Sequence, residues 1–154
     1  MFQRILIPVD GSAASLQAVD TAARLAGPQG GLHVTVAVAI SPLSAAESDY
    51  RTEYLEPHNA WLRKEAQRIA DRAIEPFRAK GAKCTTKVLE GKPVSAVLAK
   101  EASSGQYDLV VMSSRGLGQE HDRLRYLGSV TEHVIRRVSI PVLVVPIEEA
   151  DEDD

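Results

Sequence analysis

Five short runs of this chain are rich in aliphatic residues without helical spacing. The segments between them place apolar residues every three or four positions. The first rhythm belongs to strands and the second to helices with one covered face. The strand runs are Arg4 to Asp10, Leu32 to Ile40, Lys83 to Leu89, Leu109 to Met112 and Pro141 to Pro146. In the first, Ile5, Leu6, Ile7 and Val9 are nearly continuous, which predicts a strand covered on both faces, as in a parallel sheet. Pro8 lacks a ladder donor, so the strand is expected to loosen there. The helical stripes are Leu16, Val19, Ala23 and Ala26; Leu62, Ala66, Ile69, Ala73 and Phe77; Val94, Val97, Leu98 and Ala102; and Val130, Val134 and Val138.

Punctuation between the runs agrees with this division. Asp10-Gly11-Ser12 is turn chemistry, and Ser12 is placed to cap the helix that follows. Gly27-Pro28-Gln29-Gly30-Gly31 ends that helix, and Gly81 stops the next, predicted over Asn59 to Lys80. Pro76 is expected to kink it near Arg72, whose carbonyl loses a donor. Trp61 in this helix reads as a packing residue. Ser41 to Glu56 is a long polar connection, a length that points to a contact or binding surface. Pro93 falls at the first helical position of the third helix, which Ser103-Ser104-Gly105 ends. Ser129-Val130-Thr131-Glu132 has the form of a capping box, with Ser129 as N-cap of a helix running to about Val138.

Strands and helices alternate throughout, so the expected fold is α/β: a doubly wound, five-stranded parallel sheet with helices on both faces. Strand orders 3-2-1-4-5 and 2-1-3-4-5 both satisfy the pattern. The first puts a topological switch point between the first and fourth strands, where ligands bind beyond the carboxyl ends. Pro8, Val9 and Asp10 would reach that crevice from one side. Met112, Ser113, Ser114, Arg115, Gly116 and Gly118 would reach it from the other. One domain is expected over residues 1–147, followed by a tail, residues 148–154.

Charge changes this picture little. The tail holds six of the 21 acids, and without it 18 bases face 15 acids. A body this weakly basic gives no reason to expect nucleic-acid binding. No apolar run approaches the roughly 20 residues that cross a bilayer, and the start runs straight into a strand, so a cytoplasmic protein without a membrane role is expected. The single cysteine, Cys84, has no internal disulfide partner and reads as structural. His33 and the adjacent His121-Asp122 pair lack further ligands at metal-binding spacing.

The chemistry concentrates between Tyr107 and Val130, where a buried strand leads through a glycine-bearing loop to a helix start. Main-chain N–H groups and the helix dipole favour an anion at such a place. Gly128 would allow a phosphate close to the amides of Ser129 and Val130, with the hydroxyls of Ser113 and Ser114 assisting. Arg115, Arg123 and Arg125 could add charge. Asp10 suits a ribose hydroxyl or a metal-bridged phosphate, and otherwise caps its own turn. There is no G-x-x-x-x-G-K-[ST] loop, and Gly116-x-Gly118-x-x-His121 lacks the third glycine of a dinucleotide fingerprint. No Ser/His/Asp or Cys/His set has motif support, and no general base beyond Asp10 is evident, so at most weak ATP hydrolysis is expected.

The segments R-I-L-I-P-V-D-G-S at Arg4 to Ser12, Y-D-L-V-V-M-S-S-R-G at Tyr107 to Gly116, L-G-S-V at Leu127 to Val130 and P-V-L-V-V-P at Pro141 to Pro146 together resemble the universal stress protein family. That resemblance covers essentially residues 1 to 147 and implies strand order 3-2-1-4-5. It implies homodimers pairing through Val142 to Val145, and an adenine nucleotide such as ATP, with or without Mg²⁺, as ligand. It places Asp10 near ribose or metal and the backbone near Val38 and Ala39 against the adenine. ATP-binding members carry G-x2-G-x9-G-[ST]. Here Ser113 replaces the first glycine, Gly116 is the second, Gly128-Ser129 is the last pair, and eleven residues intervene instead of nine. The departure leaves a second reading open, a stress protein that acts through contacts with an unknown protein partner and binds no nucleotide.

Overall fold

A computed structural model of the chain describes residues 2–26, 30–46, 52–115 and 127–147. In order, the elements are β1 (Arg4–Pro8), α1 (Ala13–Ala26), β2 (His33–Ile40), α2 (Thr52–Ala79), β3 (Lys83–Glu90), α3 (Val94–Ala102), β4 (Leu109–Ser113), α4 (Ser129–Arg137) and β5 (Val142–Val145). The strands form one parallel sheet in the order β3-β2-β1-β4-β5. The chain winds outward from β1 to β3, then crosses back through α3 to lay β4 beside β1. The switch point is therefore where the sequence placed it.

The near-continuous apolarity of the central strands serves two cores. Ile5, Ile7, Val34, Val36, Leu109 and Val111 pack against Val19 and Ala22 of α1 and against Ala70, Ala73, Ile74 and Phe77 of α2. The intervening residues Leu6, Ala37, Val110 and Met112 meet Leu98 and Ala102 of α3, Tyr107, and Val134 of α4. A strand flanked by helices on both sides must be apolar at every position, because alternate side chains enter different cores. Leu6 and Ile7 are wholly buried, and each such burial stabilises the fold by about 1.5–3 kcal/mol.

The second helix differs from its prediction at its start. It begins at Thr52, ahead of the Asn59 expected from the apolar stripe. Tertiary contacts hold the added turns: Leu55 and Asn59 are 7% and 6% exposed. The Asn59 amide accepts from the Leu43 N–H at 2.9 Å and donates to the Leu43 carbonyl at 2.9 Å. The helix also continues through Pro76 to Ala79, carried by the wholly buried Ile74 and Phe77 on either side of the proline. Trp61, expected to pack, is 58% exposed and stacks on His58 with ring centroids 6.2 Å apart.

Candidate functional site

Beyond the carboxyl ends of β1 and β4 lies a cavity of about 280 Å³. Pro8, Val9 and Asp10 line it from β1 and its following turn, Met112, Ser113 and Arg115 from β4, and Gly128, Ser129 and Val130 from the start of α4. Ala39 contributes from β2. Val38 does not line it: it is 4% exposed and belongs to the core beneath α1 and α2. Ser114 is likewise outside the lining. Its backbone joins neighbouring elements, donating to the Val145 carbonyl at 2.9 Å and accepting from the Gly128 N–H at 2.6 Å. Gly116 and Gly118 lie outside the described residues, as do Arg123, Arg125, His121-Asp122 and the tail.

Four lining residues have no counterpart in the sequence reading of the site. Val94 and Leu98 of α3 form an apolar wall, and Ser15 and Thr131 add hydroxyls. The first two were legible only as core positions of their helix. Thr131 was hidden inside the apparent capping box. Its hydroxyl donates to the Ser113 carbonyl at 2.8 Å, fastening the first turn of α4 to the end of β4.

The capping box itself does not form. Gly128, in extended conformation with φ −69° and ψ 156°, is the N-cap, and Ser129 is the first helical residue, exposed and making no cap hydrogen bond. The first intrahelical bond runs from the Glu132 N–H to the Gly128 carbonyl at 2.9 Å. Among the described residues, no acceptor meets the N–H groups of Ser129, Val130 and Thr131. A side-chain oxygen ordinarily satisfies one of these donors. Here the cap is a glycine, which has no side chain to accept from them at the positive end of the helix dipole.

The opposite wall is more internally engaged. Asp10 accepts the Ser12 N–H at 2.9 Å, and Ser12 caps α1 as expected, its hydroxyl accepting from the Ser15 N–H at 3.1 Å. Gly11 has φ +83°, and a Cβ there would come within 3.0 Å of Ile69 Cδ1. The left-handed backbone thus favours glycine, and a side chain would also crowd Ile69. Ser113, at the position of the motif's first glycine, needs no such freedom, since no non-glycine residue described has positive φ. Its hydroxyl donates to the Arg115 carbonyl at 2.5 Å. The departure from glycine is therefore accommodated without backbone strain.

A larger cavity, about 490 Å³, lies at the other ends of the strands between α1 and β5. Phe2, Leu25, Leu109, Val142 and Leu143 make its surface mainly apolar. It lacks the convergent donors of the switch-point crevice. No group of three or more metal-ligating side chains occurs among the described residues, and no described helix is long and apolar enough to cross a membrane.

The profile of the universal stress protein family matches residues 1–146. Universal stress protein YxiE of Bacillus subtilis is 30% identical over 150 residues, covering 94% of this chain and 99% of its own length. Universal stress protein MJ0531 of Methanocaldococcus jannaschii is 31% identical over 147 residues, covering 94% and 82%. Among solved structures, hypothetical protein MJ0577 superposes with a TM-score of 0.82 at 25% identity, over 97% of this chain and 99% of that one. A universal stress protein in complex with cAMP is 30% identical, with a TM-score of 0.66 over 94% of this chain and 97% of that one. Because both the family profile and these relatives follow the chain almost from end to end, the protein belongs to the universal stress protein family.

Proposed function

We infer that this protein binds an adenine nucleotide in the switch-point crevice and acts as a dimeric sensor or regulator in a stress response. The observation that carries this reading is the open first turn of α4. Three main-chain N–H groups stand behind a glycine N-cap, at the mouth of a cavity large enough for a nucleotide fragment. The amides of Ser129 and Val130 would hold phosphate oxygens, with Arg115 beside them and Gly116 and Gly118 assigned to the same ligand from the sequence. Asp10 would meet the ribose or a bound Mg²⁺, and the backbone at Ala39 the base. The 30%-identical relative solved with cAMP supports an adenine ligand, and ATP is the reading favoured by the glycine pattern.

Catalysis is not part of the proposal beyond weak ATP hydrolysis. Dimerisation would use the exposed edge of β5, where Leu143 is 37% exposed and continues into the apolar surface of Phe2 and Leu25. A cytoplasmic location fits this role. Titration calorimetry tests the proposal with ATP and Mg²⁺ and, separately, with cAMP. Saturable heat is expected from at least one of them and is expected to vanish in Gly128→Glu, whose carboxylate would repel phosphate. No heat at millimolar nucleotide would overturn it.

A second reading, action through protein contacts without a nucleotide, is favoured by one observation. Tyr54, His58 and Trp61 share a face of α2, and Tyr54 and Trp61 are 63% and 58% exposed. Exposed aromatic residues of this kind serve as interface anchors.

A further inference from the structure

At the amino ends of the strands, on the face covered by α3 and α4, three basic residues form a row. Arg4 of β1 is in register with His33 of β2, and His33 with Lys83 of β3. Residues in register on neighbouring parallel strands point to the same face and sit about 4.8 Å apart. The His33 ring confirms that face, its Nε2 lying 2.8 Å from the Thr85 hydroxyl. In front of Arg4 and His33 opens a cavity of about 290 Å³, bounded also by Thr35, Gly105, Gln106 and Tyr107. Thr35 and Tyr107, 4% and 5% exposed, form its floor.

The nearby carboxylates are already engaged. Glu101 accepts from Lys87 Nζ at 2.7 Å and from the Tyr107 hydroxyl at 2.7 Å. Asp108 accepts the main-chain N–H groups of Gln3 and Arg4 at 3.0–3.3 Å. The Arg4 guanidinium makes one long hydrogen bond, 3.3 Å, to the Gly105 carbonyl. Neither Arg4 nor Lys83 forms an ion pair among the described residues. The Arg4 guanidinium thus keeps donor capacity that an anion in the cavity could use.

We propose that this basin is a second anion site, separate from the nucleotide crevice, that holds a phosphoryl group. A carboxylate matches one guanidinium in a plane, whereas a tetrahedral phosphate presents oxygens to donors arriving from several directions. The donors lining this cavity do so: a guanidinium from β1, an imidazole from β2 and the Gln106 amide, with the Lys83 ammonium in register beyond the lining. The cavity exceeds a bare phosphate in volume, leaving space beside Thr35 and Gln106 for a small polar body. The phosphoryl group can come from a phosphomonoester or from inorganic phosphate.

The test is an amide NMR titration of the full chain carrying Gly128→Glu, so that the crevice at α4 is blocked. Inorganic phosphate is one arm and ribose 5-phosphate, which lacks a base, is the other. Saturable shifts are expected at Arg4, His33 and Gly105 to Tyr107. The double variant Arg4→Gln, Lys83→Gln changes two exposed side chains and is expected to weaken binding by tenfold or more with the melting temperature kept. Tighter binding of ribose 5-phosphate assigns a phosphomonoester; no gain over inorganic phosphate assigns the free ion. The proposal is overturned if neither probe saturates at millimolar concentration, if the shifts map elsewhere, or if the double variant binds as before.

Discussion

The Thr131 hydroxyl donates to the Ser113 carbonyl at 2.8 Å, tying the first turn of α4 to the last residue of β4. Both residues are buried, 4% and 8% exposed. The bond fixes the helix start relative to the strand end, and with it the direction of the open amides. Thr131→Val keeps the shape and removes the donor, leaving a buried carbonyl short of a partner. It is expected to cost about 1–3 kcal/mol, read as a lower urea midpoint, and to weaken nucleotide binding.

Gly128 separates stability from binding. An aspartate at an N-cap is more stabilising than glycine by a few tenths of a kcal/mol, because its carboxylate accepts from first-turn amides. Gly128→Asp is therefore expected to raise the melting temperature slightly while lowering nucleotide affinity by more than tenfold, since the same amides cannot serve both. Thermal melts and calorimetry on one preparation check this; a variant that gained stability and still bound as wild type would show that these amides are not the phosphate site.

Asn59 fastens the connection that follows β2, holding both main-chain groups of Leu43 at 2.9 Å. Asn59→Ala removes both bonds from a position only 6% exposed. A loss of about 1–3 kcal/mol is expected, with faster hydrogen exchange at the Leu43 amide than elsewhere in the fold.

Glu101, Lys87 and Tyr107 give stability a predictable pH dependence. Burial raises the Glu101 pKa, but hydrogen bonds from Lys87 and Tyr107 outweigh it and hold the carboxyl below its ordinary value. Burial, reinforced by Glu101, pushes the Tyr107 phenol up. The glutamate's contribution is complete above the unfolded pKa, about 4.3, and is lost as pH falls through the lower folded value. The tyrosine's contribution is complete below its unfolded pKa, about 10, and is lost as pH rises through the higher folded value. Urea midpoints measured against pH should fall at both limits. Glu101→Gln should flatten the acid limb, and an unchanged acid limb would contradict the assignment.

The fold was legible wherever burial alone dictates residue type. Ile5 to Val9 and Leu109 to Met112 read as doubly covered strands because both their faces do enter cores. Strand order was different: apolar periodicity permits more than one order, and family motifs selected the observed one. The start of α2 was missed because it depends on Asn59 reaching Leu43, a contact 16 residues apart in sequence. The apparent capping box misled for a related reason. Local spacing favoured Ser129, but the N-cap is Gly128, whose own N–H is drawn 2.6 Å from the Ser114 carbonyl. Asp10, Arg115 and Gly128 do converge on one cavity, while Val38 shows the limit of reading a strand by position: one residue along, the side chain enters the other core.

Gly11 carries a final consequence. Its left-handed turn sits beside Ile69, in the middle of α2, at a separation that would make the side chain yield to a methyl group. The long helix thereby lies against the turn that presents Asp10 to the crevice. A bulkier residue at position 11 would therefore press on the helix and unsettle the Asp10 turn together.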